Sequence, residues 1–190
     1  IMKQKDTKNI AVNKWSLVFN EEIRCEDFYL NKLKPVFDVK IAEFNYKLFS
    51  NILATGRNLY KWGKIQYQSC IYCDHGIHDG RHLLFECPSL HNLWNIISET
   101  LDVQINWKAI VIGVESLPGV NFCISLINYI IYKKYLVDKD MVNENEICHI
   151  RKYVKKELEF RLESLRMCAI CNLDITIKLR CICDNLTMNG

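Results

Sequence analysis

Nothing in this 190-residue chain approaches the run of about eighteen apolar residues that a membrane-spanning helix requires. The longest apolar runs lie at 109–114 and around 126–132, so a soluble protein without a membrane partner is expected. The seven glycines nowhere gather into a phosphate-cradling loop, and no Ser/His/Asp arrangement is visible. An independent enzyme is therefore the weakest functional reading. No secretory signal is visible, and an intracellular protein, in cytoplasm, nucleus or both, is expected. In that setting a disulfide framework is not expected, although ten cysteines are present. The net charge of +3 permits a nucleic-acid partner without demanding one. Position 1 is Ile and not Met, so the chain reads as a fragment of something longer or a truncated gene product.

What the chain does have is a concentration of metal-ligating side chains between 70 and 87. Cys70 and Cys73 form a Cys-x2-Cys arm, and His82 and Cys87 follow as His-x4-Cys. Three thiolates and an imidazole make a closed tetrahedral zinc site with no position left for catalysis. His75 and His78 also lie in the gap. His78 would begin a retroviral-type knuckle, but that pattern wants Cys four residues later, where Leu83 stands. Cys70, Cys73, His82 and Cys87 are accordingly the expected ligands of one structural Zn²⁺, with His75 and His78 expected in solvated loop. Five residues separate His82 from Cys87, which on an ideal α-helix is a turn of about 140°. Cys87 must therefore lie beyond the end of the helix that carries His82, as Pro88 also indicates.

The remainder reads as helix. The first twenty residues look like a frayed basic end followed by a short element at Trp15–Phe19. Asp38 is a candidate N-cap, and Ile41, Phe44, Tyr46, Leu48, Phe49, Ile52 and Leu53 form an apolar stripe up to Gly56. A short helix at 58–62 leads into the zinc loop. Pro88 suits the start of a helix bearing Leu90, Leu93, Trp94, Ile97 and Leu101. Residues 109–113 fit a strand or a buried helical turn equally. An apolar helix is expected over 122–136. Ile147, Ile150, Val154, Leu158, Leu162 and Leu165 mark a long amphipathic helix whose charged outer face reads as a solvated surface. The tail carries Cys168, Cys171, Cys181 and Cys183, but Cys-x-Cys is an awkward second arm, and a second zinc is not expected there.

The fold class expected is mainly α: a small helical domain with a Cys3His zinc-stapled loop, followed by long amphipathic helices. The divisions are a flanking segment at 1–35, the zinc domain at 36–104, a helical region at 105–166 and a Cys-rich tail at 167–190, for which disorder is left open.

The run Phe44-Asn45-Tyr46-Lys47-Leu48-Phe49, then Leu59-Tyr60-Lys61-Trp62-Gly63, the Cys70/Cys73 arm, His82-Leu83-Leu84-Phe85-Glu86-Cys87-Pro88 and Leu93-Trp94 resemble a known family. It is the zinc-binding domain behind the reverse transcriptase of non-LTR (LINE-type) retrotransposons. The likeness is close from about 41 to 97 and fades beyond. It implies zinc ligation by Cys70, Cys73, His82 and Cys87, and a place in a polyprotein beside its reverse transcriptase domain. Neither a Tyr/Phe-Ala-Asp-Asp polymerase signature nor an endonuclease carboxylate set is present, so catalysis is expected elsewhere in the parent.

Two functions remain. A binding module for RNA or single-stranded DNA would draw on Arg57, Lys61, Lys64 and Arg81, interleaved with Trp62, Tyr72, Tyr60 and Tyr67. Between 40 and 87 six cations stand against four anions. A scaffold would use the zinc loop only as a staple, with the helices at 122–136 and 145–165 docking on a polymerase or another protein.

Overall fold

The computed structural model describes residues 2–73, 76–139, 150–166 and 173–188. Among them every regular element is helical, and strand pairing is limited to one antiparallel bridge between Ser69 and Ile77. The expected all-helical architecture with a zinc-type loop is what the chain adopts.

The first helix, α1 (Met2–Phe19), is longer than the sequence suggests. Of its apolar residues Ala11 and Trp15 are buried, whereas Ile10, Leu17 and Val18 face solvent. That scatter explains why no stripe was legible. The Trp15 indole donates to the Phe49 carbonyl at 2.7 Å, tying α1 to α3 (Val39–Phe49). Between them lie α2 (Cys25–Phe28) and a π-helical turn, π1 (Tyr29–Leu33). Asp38 does cap α3, accepting from the Lys40 amide at 2.8 Å. Ile41, Phe44, Leu48, Phe49 and Leu53 are buried as the stripe requires, but Tyr46 and Ile52 are exposed. The reason for Ile52 is that α3 ends at Phe49, with Asn51 in the left-handed region (φ 59°), so helical phase is lost before position 52.

After α4 (Gly56–Lys61) and the loop comes a second π-helical turn, π2 (His82–Glu86). Then follow α5 (Pro88–Leu101), α6 (Trp107–Val111) and α7 (Pro118–Asp138). The 109–113 ambiguity resolves as helix because the Asn106 side chain caps α6, accepting from the Ala109 amide at 2.9 Å. In α7, Ile124, Leu126, Ile127, Ile130 and Ile131 are all buried. It packs against α3, π1, π2, α6 and the two helices that follow it, so its apolar residues are not left as the docking face that the scaffold reading assigned to it.

The last two helices are α8 (Ile150–Arg166) and α9 (Leu173–Met188). Ile150, Val154, Leu158 and Leu162 are buried along α8 as their spacing demands, while Ile147 lies outside the described residues. The tail differs from the disorder left open for it. Ile175, Leu179, Ile182, Cys183 and Leu186 step by 4, 3, 1 and 3 and are buried, so residues 173–188 form an amphipathic helix on the core. Ile177, between Ile175 and Leu179, points outward at 52% exposure, so the three apolar residues do not share one face.

Candidate metal centre and the surface around it

Three local devices bring four side chains together. The first is the Cys70–Cys73 turn, in which the Tyr72 amide donates to Cys70 Sγ at 3.4 Å. The second is Asp79, whose Oδ1 accepts from the Arg81 and His82 amides at 3.0 Å each, an N-cap that starts the turn carrying His82. The third is π2 itself. Its Cys87 amide bonds to the His82 carbonyl at 2.9 Å, the i→i+5 closure of a π-turn. Wider than an α-turn, it brings residues five apart nearly into line. Cys87 itself is extended (φ −60°, ψ 127°) and serves as the N-cap position of α5, so it does sit where its helix has ended.

The result is a cluster in which one ligating atom from each of Cys70, Cys73, His82 and Cys87 lies within 4.8 Å of all the others. Cys70 Sγ and Cys87 Sγ are 3.8 Å apart, and Cys73 Sγ is 3.3 Å from His82 Nε2. A tetrahedron with metal–sulfur bonds of about 2.3 Å has a sulfur–sulfur edge of about 3.8 Å. The donor set, its spacing and its burial therefore fit one tetrahedral ion. Cys70 and Cys87 are fully buried, with Cys73 and His82 half-buried. The hydrogen bond between the two buried thiols pulls Cys87 below the usual thiol range and pushes Cys70 above it. Thiolate character is the form a metal needs.

His78 is not the solvated loop residue expected. It is fully buried, its ring centroid 4.4 Å from that of Tyr135. Its Nδ1 accepts the Gly56 amide at 3.2 Å, its carbonyl accepts the Arg57 amide at 3.0 Å, and its own amide donates to Gln68. A Cβ on Gly56 would meet His78 Cβ at 3.0 Å, so the absence of a side chain there eases this close approach. Burial, with His82 beside it, lowers the imidazole to about 4 and keeps it neutral. His75 lies outside the described residues.

The residues expected to meet nucleic acid divide by what already holds them. Arg57 pairs with Asp79 at 3.3 Å, and Arg81 with Glu86 at 2.7 Å. Lys61 and Lys64 are exposed and make no ion pair among the described residues. Trp62 is 51% exposed, Tyr67 76% and Tyr60 47%, so these rings are presented to solvent. Tyr72 is different: it is half-buried, and its hydroxyl donates at 3.0 Å to Asp138, itself bonded to Lys134 at 2.5 Å. It locks the zinc loop to α7. In the tail, Cys183 is buried on α9 and Cys181 exposed, while Cys168 and Cys171 lie outside the described residues.

Residues 6–94 match the family model described as zinc-binding in reverse transcriptase. This segment is a zinc-binding domain of the reverse-transcriptase-associated kind. The match takes in α1 and all four clustered ligands. No curated protein and no solved structure matches the chain. The role that names the family is metal binding, an accessory one and not a catalytic one. In this zinc-binding domain the ion would join the Cys70 turn, π2 and the start of α5 at one point, supplying the cross-link that a single apolar core leaves to chance.

Proposed function

We propose that the chain is the zinc-stabilised nucleic-acid-binding module of a LINE-type, retrotransposon-derived reverse transcriptase polyprotein. It would assist the polymerase domain in holding template RNA or single-stranded target DNA, and would perform no catalysis itself. The observation that carries this reading is the end of α4 and the loop after it, where Lys61 and Lys64, without ion pairs among the described residues, alternate with the exposed rings of Tyr60, Trp62 and Tyr67. Rings that stack on bases and cations that neutralise phosphates are what a sequence-tolerant single-strand surface needs. The metal cluster adds no attraction of its own, since three thiolates outweigh a dication and leave one net negative charge.

Fluorescence anisotropy with a labelled single-stranded RNA tests the proposal. If Arg57, Lys61, Lys64 and Arg81 each neutralise one phosphate, affinity falls roughly fifty-fold between about 50 and 200 mM salt. A flat signal at low salt would retire the binding module. It would leave a scaffold, for which the exposed Phe37 and Val39 beside the start of α3 are the favouring observation.

A further inference from the structure

A groove of 340 Å³ opens between α1, π2 and α6. Val18, Phe19, Phe85 and Trp107 line it, with Arg81 and Lys108 at its edge. Val18 is 49% exposed, Phe19 and Phe85 are half-buried, and Trp107 is buried. One helical turn back along α1, Lys14 lies within electrostatic reach of Arg57, Lys61 and Asp79. Its ammonium sits 4.3 Å from the Trp15 ring centroid and has no ion pair among the described residues. Lys14 thus stands between the groove, which Arg81 lines, and the end of α4, which carries Lys61, a proximity that no spacing in the sequence reveals.

In this region the cations Lys14, Arg57, Lys61, Lys64, Arg81 and Lys108 face the carboxylates of Glu21, Asp79 and Glu86. Lys108 pairs with Glu21 at 2.5 Å and Arg81 with Glu86 at 2.7 Å. Such exposed pairs contribute under about 1 kcal/mol and yield readily to a polyanion. An aromatic floor flanked by cations suits a flat ring whose neighbours are phosphates. We infer that this groove takes one unpaired base of a single strand whose backbone runs from Lys61 over Lys14 to Arg81 and Lys108. The inference rests on the nucleic-acid reading and narrows it to single strands, because a base held in a duplex is not free to enter.

The test uses the full chain and two labelled probes of equal length, a single-stranded oligouridine and an RNA duplex. Val18→Trp fills the groove from an exposed position, and Lys108→Ala removes a phosphate contact without touching the floor. Stacking of one base is worth about 1–3 kcal/mol. Val18→Trp should therefore weaken oligouridine binding about ten-fold with the salt slope unchanged, and erase the preference over duplex. Lys108→Ala should lower the single-strand salt slope by about 0.7. If wild type binds and loss of Lys61 and Lys64 weakens it, while Val18→Trp and Lys108→Ala both bind as wild type, the groove is overturned and the nucleic-acid reading stands. Equal affinity for duplex and single strand also overturns it. No retention of either probe at low salt overturns both together.

Discussion

The imidazole of His78 and the backbone of Gly56 hold each other in place: the Gly56 amide donates to His78 Nδ1 at 3.2 Å, with so little room that an added Cβ would sit 3.0 Å from His78 Cβ. This couples the loop between the two pairs of metal ligands to α4, whose first turn carries Arg57 and whose last carries Lys61. His78→Ala removes a fully buried ring and leaves a buried amide unpaired. A loss of about 2–4 kcal/mol in urea unfolding is expected, with zinc stoichiometry retained in the folded fraction. Gly56→Ala should destabilise in the same direction.

A second coupling joins Tyr72, Asp138 and Lys134. Asp138 is 1% exposed at its side chain and Lys134 8%. Asp138→Ala strands a buried ammonium and should cost about 3–5 kcal/mol, whereas Tyr72→Phe should cost about 1–2 kcal/mol. The double variant should fall short of the sum, since both changes act on one network. Denaturant titration of the four chains measures this coupling.

Lys32 gives a pH dependence of unusual sign. It is fully buried on π1, its Nζ has no hydrogen-bond partner among the described residues, and burial pulls it from 10.5 to about 7. Between those values the unfolded chain binds a proton that the folded chain does not. Stability therefore rises with pH across this window and is at its lower level below about 7. Lys32→Met should stabilise the protein by on the order of 4 kcal/mol at neutral pH, with the gain shrinking towards pH 10. Comparing the two chains at each pH cancels the thiols that titrate in the same range.

Among the cations of the zinc loop, those already paired should matter less. Lys61→Ala with Lys64→Ala is expected to weaken single-strand binding more than Arg57→Ala with Arg81→Ala, because the arginines must first leave Asp79 and Glu86. Anisotropy on the two double variants at equal salt decides the order.

The metal cluster was legible because ligand chemistry fixes both residue type and spacing, helices α3, α5 and α8 because each buries a periodic stripe, and α7 because it is a long apolar run buried almost throughout. Elements held by tertiary contacts were not. α1 buries only Ala11 and Trp15 of its described apolar residues, too few to write a pattern. His78 looked like any loop histidine, since its partners lie 22 residues upstream at Gly56 and 57 residues downstream at Tyr135. The groove at Phe85 and Trp107 joins three segments that only the fold brings together. α9 was the one missed pattern that spacing did carry, in Ile175, Leu179, Ile182 and Leu186, obscured by an outward Ile177.

Metal content of the purified chain tests the centre most directly. Elemental analysis should find one zinc ion per folded chain. Cys87→Ser should lose that ion together with the helical signal of the zinc domain, as expected when on the order of 10 kcal/mol of binding energy supports the fold. A well-folded chain without zinc, or one holding two ions, would contradict a single structural site at Cys70, Cys73, His82 and Cys87.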